Sequence, residues 1–194
     1  SNPDEGDSVP NMAVVGGGYD EIETTLTNLG ISHDFYEADT QGVGLISDWN
    51  SLSQYQVLFL PCAGGWLDDY LSDQGTLDTL RNFVSAGGRL YVTDWSYDIL
   101  VNAFPDPLTF VGDTGTLGSA QGSVYDADAW VEDIGLESWL NAQGIVDFVL
   151  EANWTEIESV NVYEAPNELN IIQVFLPKVW VRGESQDSSS GGFF

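Results

Sequence analysis

Basic residues are nearly missing from this sequence. Four Lys and Arg stand against 31 Asp and Glu in 194 residues, a formal net charge of -27. A surface of that sign repels nucleic acid and anionic membrane, whose phosphates must be met by cations. A single cysteine, Cys62, excludes an internal disulfide and any multi-cysteine metal site. A single histidine, His33, leaves little room for imidazole chemistry. No run approaches the roughly 18 consecutive apolar residues a membrane-spanning helix needs, and no internal repeat is visible. Residues 1 to 11, SNPDEGDSVPN, lack the basic and apolar regions of a signal peptide. They read as a polar leader of the kind that follows a processed export signal.

Apolar material, by contrast, is plentiful. Hydrophobic residues make up 43% of the chain, with 7 Trp, 8 Tyr and 9 Phe, enough for one domain with a real core. The acids are spread evenly, 16 in residues 1 to 100 and 15 in the rest, so the whole surface is acidic rather than one tail. Such a surface suits high salt, a medium rich in divalent cations, or a secreted or cell-surface role with neutral or cationic partners.

Strand and helix signals alternate through residue 104. Met12 to Val15 is a short apolar run closed by Gly16 to Gly18, and Ile22, Leu26 and Leu29 recur at helical spacing before Gly30. SHDFYEAD, starting at Ser32, reads as a second strand. Val57 to Leu60 reads as a third, of the type buried on both faces, ended by Pro61 and Gly64-Gly65. An amphipathic helix follows, with Leu77, Leu80, Phe83 and Val84 on one side and Gly87 as its C-terminal cap, and Leu90 to Val92 supplies a fourth strand. This alternation calls for a parallel sheet with helices on both faces. Beyond Pro105 the texture becomes rich in Gly, Asp and Thr, and it predicts an excursion of short strands. A short helix in GLESWLNAQG and strands in IVDFVLEANWTEIESVNVYEA, NIIQVFLP and KVWVRGE follow. Trp130, Trp139, Trp154 and Trp180 fall in these segments and read mainly as core or sheet-packing residues. The boundaries expected are a leader at 1-10, one α/β domain at 11-183 (core 11-104, β-rich extension 105-183) and a low-complexity tail at 184-194.

QVLFLPCAGGW, the helix ending FVSAGG, and RLYVTDWSYDIL together resemble the class I glutamine amidotransferase-like superfamily, which includes PfpI-like and ThuA-like proteins. The resemblance covers roughly residues 11 to 104 and implies a flavodoxin-like sheet. In catalytic members the strand after the FVSAGG-like helix runs into an elbow carrying a nucleophilic cysteine. Here Thr93-Asp94-Trp95-Ser96 lies across that elbow, with Asp94 at or beside the nucleophile position. A carboxylate cannot perform thioester chemistry. Cys62 falls in the loop that, in the resembling enzymes, contributes backbone N–H groups to the oxyanion. An imidazole partner for it would have to be His33, at the opposite edge of the sheet.

The loops expected at the ligand edge carry Asp39, Asp68, Asp69, Asp94 and Asp98, with Trp66 and Trp95 beside them. Oxygen ligands at this density are a calcium candidate, with Asp68, Asp69, Asp94 and Asp98 as the ligand set. Paired carboxylates beside indoles also suit carbohydrate, with Asp94, Asp68 or Asp98 as acid and base. Structural roles compete with both: Asp68 and Asp69 at a helix start, and Asp94 as a helix cap. DTGTLG at Asp113 and YDADAWVED at Tyr125 are calcium-suggestive, yet neither follows the EF-hand loop.

The leading expectation is therefore a non-catalytic binding or assembly module, extracellular or on the cell surface and anchored upstream of this sequence. Trp66, Trp95, Asp94 and Cys62 are its candidate binding residues, and a protein partner or a second copy is expected as ligand. A ThuA-like carbohydrate hydrolase and a structural subunit of a surface layer or filament are the alternatives.

Overall fold

The computed structural model describes residues 9–62, 71, 73–105, 108–131, 134–155, 157–160 and 179–181. Chain contacts gather into two compact units, divided between Ala103 and Phe104.

The first unit is built on four parallel strands, β1 (Met12–Val15), β2 (Asp34–Tyr36), β3 (Val57–Leu60) and β4 (Arg89–Val92), in the order β2-β1-β3-β4. Between them run α1 (Ile22–Asn28), α2 (Thr40–Ser47), α3 (Trp49–Leu52) and α4 (Gln74–Ser85). After β4 a 3-10 turn (Asp94–Ser96) leads into α5 (Tyr97–Ala103). With β2 outside β1 and β3 on its other side, this is the flavodoxin-like order, and the α/β class expected from the sequence is the one observed.

Burial identifies β1 as the strand enclosed on both faces: Ala13, Val14 and Val15 are all 0% exposed. The sequence assigned that role to β3, but β3 alternates, with Leu58 and Leu60 buried and Val57 and Phe59 half-buried. The reason is lateral packing. The Phe59 ring leans on Tyr91 of β4 at 5.2 Å, tilted by 46°, and that layer keeps contact with solvent.

Helix ends follow from a few residues. Asp73 caps α4, its Oδ1 accepting from the Gly75 N–H at 3.1 Å and its Oδ2 from the Thr76 hydroxyl at 3.1 Å. At the other end Gly87 has φ 99, and the Gly87 and Gly88 N–H groups donate to the Val84 and Phe83 carbonyls at 3.0 and 2.9 Å. That pair of bonds is a Schellman closure, which needs a left-handed residue. Gly30 (φ 70) ends α1 in the same way. As a result Leu29, expected on the apolar side, is the cap residue of a helix that has already turned away, and it is 64% exposed.

Helices α2 and α3 are not legible in the sequence, since Gly42 and Gly44 depress the propensity of α2 by about 1 kcal/mol each. They form because Gly42, Leu45, Ile46 and Leu52 are buried, and because Asp39 and Asp48 cap them. Arg81 of α4 then ties down the end of α5, donating from Nε to the Ala103 carbonyl at 2.7 Å and from Nη2 to the Asn102 carbonyl at 2.9 Å. Its exposed pairing with Asp78 is worth little beside these bonds.

At the N-terminal edge of the sheet, Tyr55 donates to Asp34 Oδ2 at 2.6 Å and accepts from the Tyr36 hydroxyl at 2.6 Å. Burial, first, and the bonds to Asp34 and Tyr36 push the Tyr55 phenol well above its ordinary value of 10.0. A raised folded-state value means the native state holds this proton more tightly than the unfolded chain does. The contribution is full below pH about 10 and is lost as pH rises beyond it toward the folded value. Tyr55→Phe is expected to flatten the alkaline fall in stability, measured by urea unfolding at several pH values from neutral to strongly alkaline. An unchanged alkaline slope would remove Tyr55 as its source.

In the second unit β5 (Leu108–Phe110) pairs antiparallel with β8 (Ile157–Val160). The long strand β6 (Gln121–Val131) pairs antiparallel with β7 (Val149–Thr155) and β9 (Val179–Val181). The mostly antiparallel character matches expectation. The short strands expected before residue 131 do not: β6 runs for 11 residues, with register shifts that absorb its irregular pattern. Helix α6 (Ile134–Ala142) buries none of its residues and leaves Ile134 at 80% and Trp139 at 57% exposure, so Trp139 is not the core residue its setting suggested. Among the described residues no helix is long and apolar enough to cross a membrane.

Candidate functional site

Parallel strands place their following loops at one edge, and in this strand order the crevice opens between β1 and β3. Three loops meet there: Gly16 to Asp20 after β1, Pro61 and Cys62 after β3, and Thr93 to Ser96 after β4. The Gly18 N–H donates to the Cys62 carbonyl at 2.8 Å. Gly17 allows this approach because a Cβ there would lie 3.0 Å from the carbonyl oxygens of both Cys62 and Asp20. The Ser96 hydroxyl, fully buried, donates to the Pro61 carbonyl at 2.7 Å.

Asp20 holds the three loops together. Its Oδ2 accepts the Cys62 N–H at 3.1 Å and the Thr93 hydroxyl at 2.5 Å. Among the described residues its Oδ1 accepts no hydrogen bond. In two of these loops the rings of Tyr19 and Trp95 meet at 6.3 Å with an interplanar angle of 35°, Tyr19 being 70% exposed. Tyr91, two residues before Thr93, has its phenol raised by burial and then by the charge of Asp20.

The residues singled out from the sequence distribute as follows. Cys62 lies in the site with its residue 3% exposed, and what it presents to Asp20 is its backbone N–H. Trp95 lies there too. Asp98 sits in the first turn of α5 at 2% exposure, its backbone carbonyl accepting from Asn102 Nδ2 at 2.8 Å. Asp94 opens the 3-10 turn, and its side chain lies outside the described residues, as do Trp66, Asp68 and Asp69 in full. Asp39 caps α2 by accepting the Thr40 N–H. His33 precedes β2, at the other end of the sheet from Cys62, and its Nδ1 lies 3.0 Å from the Ile31 carbonyl, to which it donates. Among the described residues no group of three or more His, Cys, Asp or Glu could hold a metal ion.

Sequence reasoning passed over Asp20 and Tyr19, and it named Thr93 only as part of the elbow. The signal was present: GGGYD follows an apolar strand, and the first loop of a flavodoxin-like sheet always lies at the switch point. It was hidden by the wealth of other carboxylates.

No family model matches the chain, and no curated protein matches it. Two solved structures do. A protein of Bacteroides uniformis described as ThuA-like is 11% identical over 76% of this chain, with a TM-score of 0.42. A cytoplasmic protein of Salmonella typhimurium is 12% identical over 78% of this chain and 75% of its own, with a TM-score of 0.44. The chain spans 60% of the length of the first.

Proposed function

We propose that this chain is a non-catalytic binding module, extracellular or at the cell surface, with its ligand site at the C-terminal edge of β1, β3 and β4. One observation carries the reading: the Asp20 carboxylate lies on the Cys62 N–H. On an amidotransferase-like scaffold that loop supplies the donor for a developing oxyanion. A fixed carboxylate in its place repels such a charge, by about 1 kcal/mol at 4 Å in water and about 4 kcal/mol near a protein surface. The same bond that closes the loop thus opposes acyl-transfer chemistry. The evenly acidic surface supports a setting among neutral or cationic partners, and a protein partner or second copy is the ligand class proposed.

The test is turnover of p-nitrophenyl glycosides, p-nitrophenyl acetate and glutamine. The expected result is no rate that depends on Asp94, Cys62 or Thr93. A rate abolished by Asp94→Asn, with an unchanged melting temperature, would overturn the reading in favour of a carbohydrate hydrolase.

A further inference from the structure

The crevice also carries information about the chemistry of its ligand. Asp20 is a carboxylate with one oxygen held by two donors and the other without a hydrogen bond among the described residues. Its orientation is fixed before any ligand arrives, which lowers the ordering cost of binding. No basic side chain among the described residues lies at this edge to neutralise it. Arg81 is committed to the end of α5, Arg89 begins β4 and so lies at the opposite edge, and His33 precedes β2 there too. Lys178 and Arg182 fall outside the described residues.

The second observation is aromatic. Tyr19 and Trp95 bracket the same pair of loops that Asp20 and Thr93 join, each ring one or two residues from the carboxylate junction. An indole and a phenol side by side, with one ring 70% exposed, offer negative π faces next to a negative charge. Anions are repelled by this combination, and a neutral sugar would leave the charge of Asp20 unmatched.

We infer that the site takes an organic cation, a guanidinium or alkylammonium group, paired with the Asp20 carboxylate and lying against the rings of Tyr19 and Trp95. This rests on the reading of the crevice as a binding site. The cation has two sources, a small free molecule or an Arg or Lys side chain of a protein partner, and both present the same group.

The experiment is calorimetric titration of the whole protein at near-physiological salt with N-acetyl-arginine amide and its neutral isostere N-acetyl-citrulline amide. The arginine probe is expected to bind at least about tenfold more tightly. Asp20→Asn, which keeps an acceptor oxygen for the Cys62 N–H, is expected to weaken it at least about tenfold. Tyr19→Ala, at an exposed position that cannot unfold the core, is expected to weaken it about threefold or more. Glu137→Gln, on exposed α6, is expected to change nothing, which separates the site from the general acidity of the surface. Equal affinity for the arginine and citrulline probes overturns the inference, and so does unchanged affinity in both Asp20→Asn and Tyr19→Ala. Choline and a glycine-flanked arginine peptide then sort the sources: comparable binding marks a small cation, and about tenfold tighter peptide binding marks a protein partner. Failure here without enzymatic turnover removes only the cation. Turnover lost in Asp94→Asn removes the non-catalytic reading whatever the cation does.

Discussion

Gly88→Ala is expected to destabilise the first unit by about 3 kcal/mol, the upper end of the usual range for overpacking a core. A Cβ at this position would lie 2.5, 2.5 and 2.6 Å from three ring atoms of Phe83. Ordinary contact is about an ångström longer, so either the ring or the backbone has to move. Phe83 is 2% exposed and lies on the buried side of α4 with Leu80 and Val84. The backbone is held just as firmly, because the Gly88 N–H closes the helix on the Phe83 carbonyl at 2.9 Å. Both the carbonyl and the ring of Phe83 thus meet the same glycine. The effect is steric, in contrast to Gly87, where the positive φ would strain any side chain. Urea unfolding checks it, and a double-mutant cycle makes it specific. Phe83→Leu alone costs stability, but combined with Gly88→Ala the loss should be less than additive by about 1 kcal/mol or more. A loss under about 0.5 kcal/mol for Gly88→Ala would mean the ring does not stand where it is placed.

Asp20→Ala is expected to cost about 2 to 4 kcal/mol, because it removes an acceptor from two donors at once. Hydrogen bonds to a charged group are worth about 1.5 to 3 kcal/mol, and a buried donor left without a partner adds a desolvation penalty. The Cys62 N–H is the donor at risk, in a residue 3% exposed, whereas the Thr93 hydroxyl can turn toward water. Thr93→Val should therefore cost about 1 kcal/mol, and Asp20→Asn should fall between the two. Hydrogen exchange at the Cys62 amide gives a local readout: protection should drop in Asp20→Ala and persist in Thr93→Val. Equal protection in wild type and Asp20→Ala would show that the carboxylate does not hold this loop.

How far the sequence led depends on the kind of signal. Val57 to Leu60 and Met12 to Val15 coincide with β3 and β1 because a short continuous apolar run closed by Pro or Gly is a strand signal legible without context, although only β1 of the two is enclosed on both faces. Helix α4 was readable for a similar reason, since Leu77, Leu80, Phe83 and Val84 repeat at helical spacing and Gly87 marks the end. Helix α2 was not, because TQGVGLIS has two glycines and its stability comes from what it packs against, which is absent from the local pattern. Strand β6 was read as fragments, since its partners are remote in the chain and its bulges break the alternation. At the candidate site, the placement of Cys62 and Trp95 at the C-terminal edge of the sheet was legible from topology. Asp20 was not, because its distinction lies in its two donors, and one of them, Thr93, is 73 residues away.

The strand order has a consequence for how the chain comes to be folded. Met12 of β1 pairs with Val57 and Val57 with Arg89, and none of the pairings in this sheet is a hairpin between adjacent segments. Every ladder must close a long stretch of chain first, which places this unit among the slower-folding topologies. On the ribosome the most deeply buried strand, β1, emerges before its β3 partner and waits for it. Exposed strands of that kind are what make unfinished chains stick to one another. The evenly distributed negative charge is present throughout that wait, and it keeps nascent copies apart before the fold exists to hide β1.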